Sequence, residues 1–146
     1  MPGQQEATYR GTCFCGEVAF EATGEPFSMG YCHCKDCRAW AAAPVNGFTL
    51  WHDGAVKITK GEEHIGVFNK TKTSARKFCK RCGGHLMSVH PGAKFTDIFS
   101  AVLPDLDFQP ALHINYESSV LAVNDALPNY LDFPEEFGGS GKLAAV

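Results

Sequence analysis

Long apolar runs are missing from this sequence. No stretch approaches the roughly 20 consecutive apolar residues of a membrane-spanning helix, so no such helix is expected. The first residues, Met1-Pro2-Gly3-Gln4-Gln5-Glu6, carry neither a basic segment nor an apolar one. No secretory leader is therefore expected, and a cytoplasmic location is. Positive charge is also short: 13 Lys and Arg stand against 16 Asp and Glu, a formal net charge of −3. That excludes the electrostatic footprint of a general nucleic-acid binder. There is no internal repeat and no compositional break that would mark a linker. The 146 residues fit one domain of the usual size, about 100–150 residues. The domain is expected over 8–138, with flexible termini at 1–7 and 139–146, the latter following the glycine-rich Gly138-Gly139-Ser140-Gly141. Oligomeric state is not legible.

The last absence is of isolated cysteines. All seven fall in three clusters: Cys13-Phe14-Cys15, Cys32-His33-Cys34-Lys35-Asp36-Cys37 and Cys79-Lys80-Arg81-Cys82-Gly83. In a reducing compartment, clustered thiols favour metal binding or catalysis over disulfides, and an odd count fits a disulfide framework poorly. Thiols one or two residues apart suit chelation, because one backbone bend aims two sulfurs at one ion. Seven divides into four plus three. Four thiolates close a structural tetrahedral zinc site; three leave a position for water or substrate. In a strand, residues i and i+2 share a face, so Cys13 and Cys15 present two sulfurs together. Cys79 and Cys82 offer two more from a knuckle-like turn. One ion joining these distant pairs would tie the start of the domain to its middle. Cys32, Cys34 and Cys37 form a short tripod with no eighth cysteine to close it. An extended backbone there points His33 away from the flanking sulfurs. Thiolate ligands and the lack of an obvious redox role favour zinc over iron. Seven thiolates on two Zn²⁺ would take the net charge to about −6. Two alternatives stand beside this reading: a redox-active middle cluster that forms a disulfide, and scattered buried thiols with no metal.

Between the clusters the chain reads as many short strands separated by Gly, Pro and Asp turns. Candidates are 17–22, 27–31, 48–51, 55–59, 65–68, 85–89, 95–99 and 112–116, and the pattern argues for a mainly β domain. Residues 37–43 hold helix formers but stop at Pro44, which allows only a short helical turn.

Gly11-Thr12-Cys13-Phe14-Cys15-Gly16-Glu17-Val18, Cys32-His33-Cys34-Lys35-Asp36-Cys37-Arg38 and Phe78-Cys79-Lys80-Arg81-Cys82-Gly83 together resemble the signatures of the glutathione-dependent formaldehyde-activating family, which includes centromere-protein-V-like proteins. Leu112-His113-Ile114-Asn115-Tyr116 and Leu127-Pro128 resemble its closing pattern. The resemblance implies a zinc-stabilised β-tent of short antiparallel strands. It implies two Zn²⁺ per chain, a structural one on Cys13, Cys15, Cys79 and Cys82 and a catalytic one on Cys32, Cys34 and Cys37. It also implies a carbon–sulfur lyase, with glutathione as thiol co-substrate, that reversibly forms S-hydroxymethylglutathione from formaldehyde. Glutathione carries carboxylates, and Arg38 and Lys35 beside the middle cluster are the expected contacts. Ala39-Trp40-Ala41-Ala42-Ala43 and Lys77 depart from the family pattern and bear on the pocket wall. The partners expected are a small thiol and an aldehyde, with neither nucleic acid nor membrane. The rival functions are a non-enzymatic glutathione carrier and a zinc-stabilised interaction module. The module would need the middle site closed by a fourth protein ligand.

Overall fold

The computed structural model describes residues 6–145. The termini expected to be flexible therefore lie partly outside the described residues, at 1–5 and 146. Ten strands follow in chain order: β1 (Thr8–Thr12), β2 (Ala19–Thr23), β3 (Ser28–Cys32), β4 (Asn46–His52), β5 (Val56–Lys60), β6 (Ile65–Thr71), β7 (Ser74–Cys79), β8 (His85–His90), β9 (Phe95–Phe99) and β10 (His113–Ile114). One α-helix, α1 (Lys35–Ala41), lies between β3 and β4. The protein is mainly β, as its turn-punctuated strand pattern requires. Among the described residues no helix is long and apolar enough to cross a membrane.

The chain divides into two compact units. One holds residues up to Phe27 and Thr49–Asp107; the other holds Ser28–Phe48 and Phe108 onward. The first unit contains the antiparallel sheet β1-β2-β5 and the strand order β4-β9-β8-β7-β6. Its core is made by residues of these strands and their flanks, Val18, Phe20, Trp51, Leu86, Met87, Ile98 and Leu103, with Cys13 and Cys79 buried among them. One buried polar group needs explicit satisfaction. Thr49 donates from Oγ1 to the Ile98 carbonyl at 2.7 Å and accepts from the Trp51 indole N–H at 2.8 Å. Both groups are thus buried without the cost of an unmade hydrogen bond.

The second unit contains β3, α1, the start of β4, and β10. Here β10 pairs with β3 in parallel, aligning His113 with Tyr31 and Ile114 with Cys32. That pairing makes the sheet mixed, beside antiparallel pairs such as β6-β7 and β8-β9. A parallel partner cannot be reached by a tight hairpin, and β10 returns from about 80 residues downstream. The segment expected as a strand over 112–116 shortens to two strand residues, because Asn115 turns left-handed (φ 54°) and starts a 3₁₀ turn at Tyr116–Ser118. Residues 139–145, from the tail expected to be flexible, fold back along 129–133. Leu131 donates to Lys142 O at 2.9 Å, Gly141 to Phe133 O at 3.0 Å and Ala144 to Asn129 O at 2.8 Å.

Gly30 lets this unit close. A Cβ there would lie 2.6 Å from the Leu112 carbonyl and 2.9 Å from the Phe48 ring. Gly30→Ala is therefore expected to cost about 1–3 kcal/mol by overpacking, read as a lower denaturation midpoint at unchanged m-value.

Candidate active site and metal centres

The seven sulfurs gather into two groups, Cys13, Cys15, Cys79 and Cys82 in one and Cys32, Cys34 and Cys37 in the other. Within each group the ligand atoms lie within 4.8 Å of one another. All seven cysteines are free thiols.

The four-cysteine group belongs wholly to the first unit. Two turns build it. After β1 the chain bends at Cys13–Gly16, where Gly16 N–H donates to Cys13 O at 3.2 Å and Gly16 adopts φ 83°. Cys13 and Cys15 are therefore presented by a turn rather than by the strand alternation expected from their spacing. The second turn follows β7: Gly83 N–H donates to Cys79 O at 2.8 Å, and Gly83 itself sits at φ 75°, the left-handed region that glycine enters without strain. Amides point at the sulfurs, Val18 N–H at Cys13 and Gly84 N–H at Cys82, both at 3.3 Å.

The spacing fits a metal. A tetrahedron with zinc–sulfur bonds of about 2.3 Å has sulfur–sulfur edges of about 3.8 Å. Cys13 and Cys15 are 3.6 Å apart and Cys15 and Cys79 are 3.8 Å apart, far beyond a disulfide bond. Proton affinities tell the same story of crowded sulfurs. The Gly84 amide holds Cys82 down to about 6. Cys15 is drawn down by the Glu17 amide, but desolvation and the neighbouring thiols push it up to about 11. Four sulfurs this close cannot all ionise without a cation among them.

The three-cysteine group lies in the second unit. Cys32 ends β3, Cys34 caps α1, and Cys37 stands in the helix's first turn. Cys34 Sγ accepts the Cys37 N–H at 3.2 Å, so the cap itself aims two sulfurs toward one point. The helix stops at Ala42, which takes the left-handed conformation (φ 52°) two residues before Pro44. Cys32 is buried, and hydrogen bonding with the Cys34 and Cys37 thiols drives its proton affinity far above the ordinary thiol value. As in the first group, sulfurs this close cannot all ionise without a cation among them. The donor set is three soft sulfurs, which fits zinc and leaves one tetrahedral position without a cysteine.

Asn115, which was not singled out from the sequence, donates from Nδ2 to Cys32 Sγ at 3.6 Å. Its left-handed backbone is one that Asn tolerates better than most residues. His33 is fully buried, does not join the three-sulfur group, and packs its ring against His113 and Tyr116. Its Nε2 lies 2.8 Å from His113 Nδ1, and His113 Nε2 lies 2.9 Å from Asp125 Oδ2. Burial, with help from His113 and Arg38, lowers the His33 proton affinity to about 4, so the ring is neutral near pH 7. Arg38 donates from Nε to His33 O and from Nη2 to Ser118 O, both at 3.1 Å. It is thus a backbone clamp as well as a cation. Lys35 is exposed at the first residue of α1. Phe48 and Trp51 are buried core residues, whereas Phe14 is 92% exposed.

The family described as glutathione-dependent formaldehyde-activating enzyme matches residues 8–118, which include all seven cysteines. The chain belongs to this family. A crystal structure of a Rhodobacter sphaeroides protein, a structural-genomics target, is similar in fold. It shares 20% identity, covers 67% of this chain and 90% of its own, and superposes with a TM-score of 0.56. At that identity the likeness bears on fold alone. Comparison with curated proteins finds no match. Family membership supports a glutathione-dependent formaldehyde-activating role in general terms.

Proposed function

We propose that this family member is a zinc-dependent carbon–sulfur lyase, catalysing the reversible addition of the glutathione thiol to formaldehyde or a related aldehyde to give S-hydroxymethylglutathione. The observation that carries the reading is the three-sulfur group of Cys32, Cys34 and Cys37, with no fourth cysteine to close it. The four-sulfur group is assigned a structural zinc. At Cys32, Cys34 and Cys37, zinc would supply a positive charge and an open position at which a substrate thiol stays deprotonated near neutral pH.

In the forward direction a sulfur–carbon bond forms. The carbonyl π pair moves to oxygen, which takes up the proton that left the thiol. Nothing is oxidised or reduced. The chain's own part is to hold and orient. The Asn115 amide and the Cys37 N–H donate to Cys32 and Cys34, contacts that favour the ionised form of each sulfur. Arg38 fixes the backbone on both sides, at His33 and Ser118. Lys35 and Arg38 are assigned to the glutathione carboxylates, Lys35 as a mobile surface charge and Arg38 through the N–H groups beyond its clamp. Neutral His33 supplies no cation to compete with them. Clustered thiols kept for a metal favour a reducing compartment, and on this reading the protein is assigned to the cytoplasm.

The test is exchange spectroscopy on glutathione and formaldehyde at equilibrium, with zinc-loaded protein. Interconversion of free thiol and adduct is expected to accelerate in proportion to protein concentration. Glutathione binding without acceleration would leave a carrier. No binding at all would sink both.

A further inference from the structure

We propose that Asp125 and His113 are positioning residues for the three-cysteine group: they set the tautomer and the orientation of the ring of His33, the residue that lies between Cys32 and Cys34 in the chain. The proposal rests on the reading that this group holds a metal.

The fold builds the chain of contacts from register alone. Tyr31 and His33 are two residues apart and share a face of the extended chain. The parallel pairing of β10 sets His113 opposite Tyr31, so the His113 ring stacks on Tyr31, with centroids 4.9 Å apart, and meets His33 beside it. His113 cannot drift. Its backbone N–H donates to Pro128 O and its carbonyl accepts from Tyr130 N–H, both at 2.9 Å. Asp125 is held as well, because its Oδ1 accepts Leu127 N–H at 3.1 Å and leaves Oδ2 for His113.

Proton direction then follows from donor and acceptor inventory. A carboxylate only accepts, so His113 carries its proton on Nε2. Its Nδ1 faces His33 Nε2 at 2.8 Å, and His33 donates across that contact from Nε2, because Nδ1 of His33 has no acceptor to receive a proton. Nδ1 of His33 is left as a lone pair, and among the described residues no group hydrogen-bonds to it. An N–H there would be a buried donor with no acceptor. One carboxylate thus decides the tautomer of two buried rings. His33 is also gripped through its backbone, where its N–H donates to Ile114 O at 3.1 Å and its carbonyl accepts from Arg38. Ring and backbone contacts together hold the residue that links Cys32 to Cys34. Outer contacts of this kind typically change metal affinity by about 10–100-fold.

Asp125→Asn tests the idea, because two donors, Leu127 N–H and His113 Nε2–H, need two acceptor oxygens and an amide has one. With Oδ1 kept by Leu127, the amide donates to His113 Nε2 and inverts the chain, placing the His33 proton on Nδ1. The Asp125 side chain is 31% exposed, so the change is not a core substitution. The measurement is ¹⁵N-histidine NMR of the full zinc-loaded chain, together with retention of each zinc equivalent against a chelator. The wild type is expected to show both rings protonated at Nε2. Asp125→Asn is expected to invert both and weaken retention of the second zinc about tenfold. Asp125→Ala, which removes both oxygens, is expected to weaken it likewise, with the first zinc unchanged in either variant as the control for folding. Retention of the second zinc at the wild-type level in both variants would overturn the proposal, as would wild-type rings protonated at Nδ1. A wild type that binds only one zinc overturns it together with the metal reading. A wild type that binds two zincs without exchanging glutathione overturns the proposed function alone.

Discussion

Cys34→Ala is expected to bind one zinc per chain instead of two and to lose glutathione binding and adduct exchange. Activity should fall by at least about 100-fold, the upper end of what loss of an outer contact to a ligand costs. Two sulfurs cannot hold the ion as three do, and Cys34 is also the N-cap of α1. Its removal leaves the Cys37 N–H without its acceptor, a loss of about 1 kcal/mol in helix stability. Both remaining sulfurs are then affected, since Cys37 rides on that first turn and Cys32 shares its protons with both partners. The fold should nevertheless survive. The core of the first unit is built from β1, β2, β4, β8 and β9 and draws nothing from this cluster. Metal analysis, glutathione titration and a thermal melt on the same sample decide the matter. A variant that keeps both zincs, or keeps full exchange activity with one, would refute the assignment of the three-cysteine group.

Cys79→Ala is expected to do the opposite and unfold the first unit. Cys79 is fully buried among Val18, Phe20, Leu86 and Ile98, and it joins the sulfurs of a turn 64 residues upstream. Structural zinc sites contribute about 10–16 kcal/mol in zinc-finger peptides, whereas a whole domain is stable by only about 5–15 kcal/mol. Even a fraction of that contribution is comparable with the total. The variant should accumulate insoluble, or lose its cooperative melt. A strong chelator should bring the wild type to the same state over hours. A soluble variant melting within a few degrees of wild type would show that the apolar core carries the unit without the ion. The contrast between the two substitutions separates a cluster that stabilises the chain from one that the chain merely positions.

The cysteines show how far local reading reaches. Their division into four and three was legible because thiols one or two residues apart must share a bend, and seven cannot close two tetrahedra. The strands at β2, β6, β8 and β9 were legible from alternation and turn residues, and α1 from helix formers ahead of Pro44. β1 was not read as a strand: Thr8-Tyr9-Arg10-Gly11-Thr12 is short and carries a glycine, and pairing with β2 makes it one. The turn at Cys13–Gly16 was misread as a strand, although Gly16 directly after Cys15 was its signal.

The contacts that shape the second cluster lay beyond any such reading. Asn115 and Cys32 are 83 residues apart, Arg38 and Ser118 are 80 apart, and so are His33 and His113. Periodicity and spacing report what the chain does within a turn or a strand, because steric and hydrogen-bonding preferences act between near neighbours. The sequence by itself therefore determined the grouping of the thiols, the mainly β class and the family. Only the tertiary structure decided that β10 returns parallel to β3, and with it which amide reaches Cys32 and which carboxylate orients His33. A two-residue strand has no period to read, and its partner is chosen by how the rest of the chain packs.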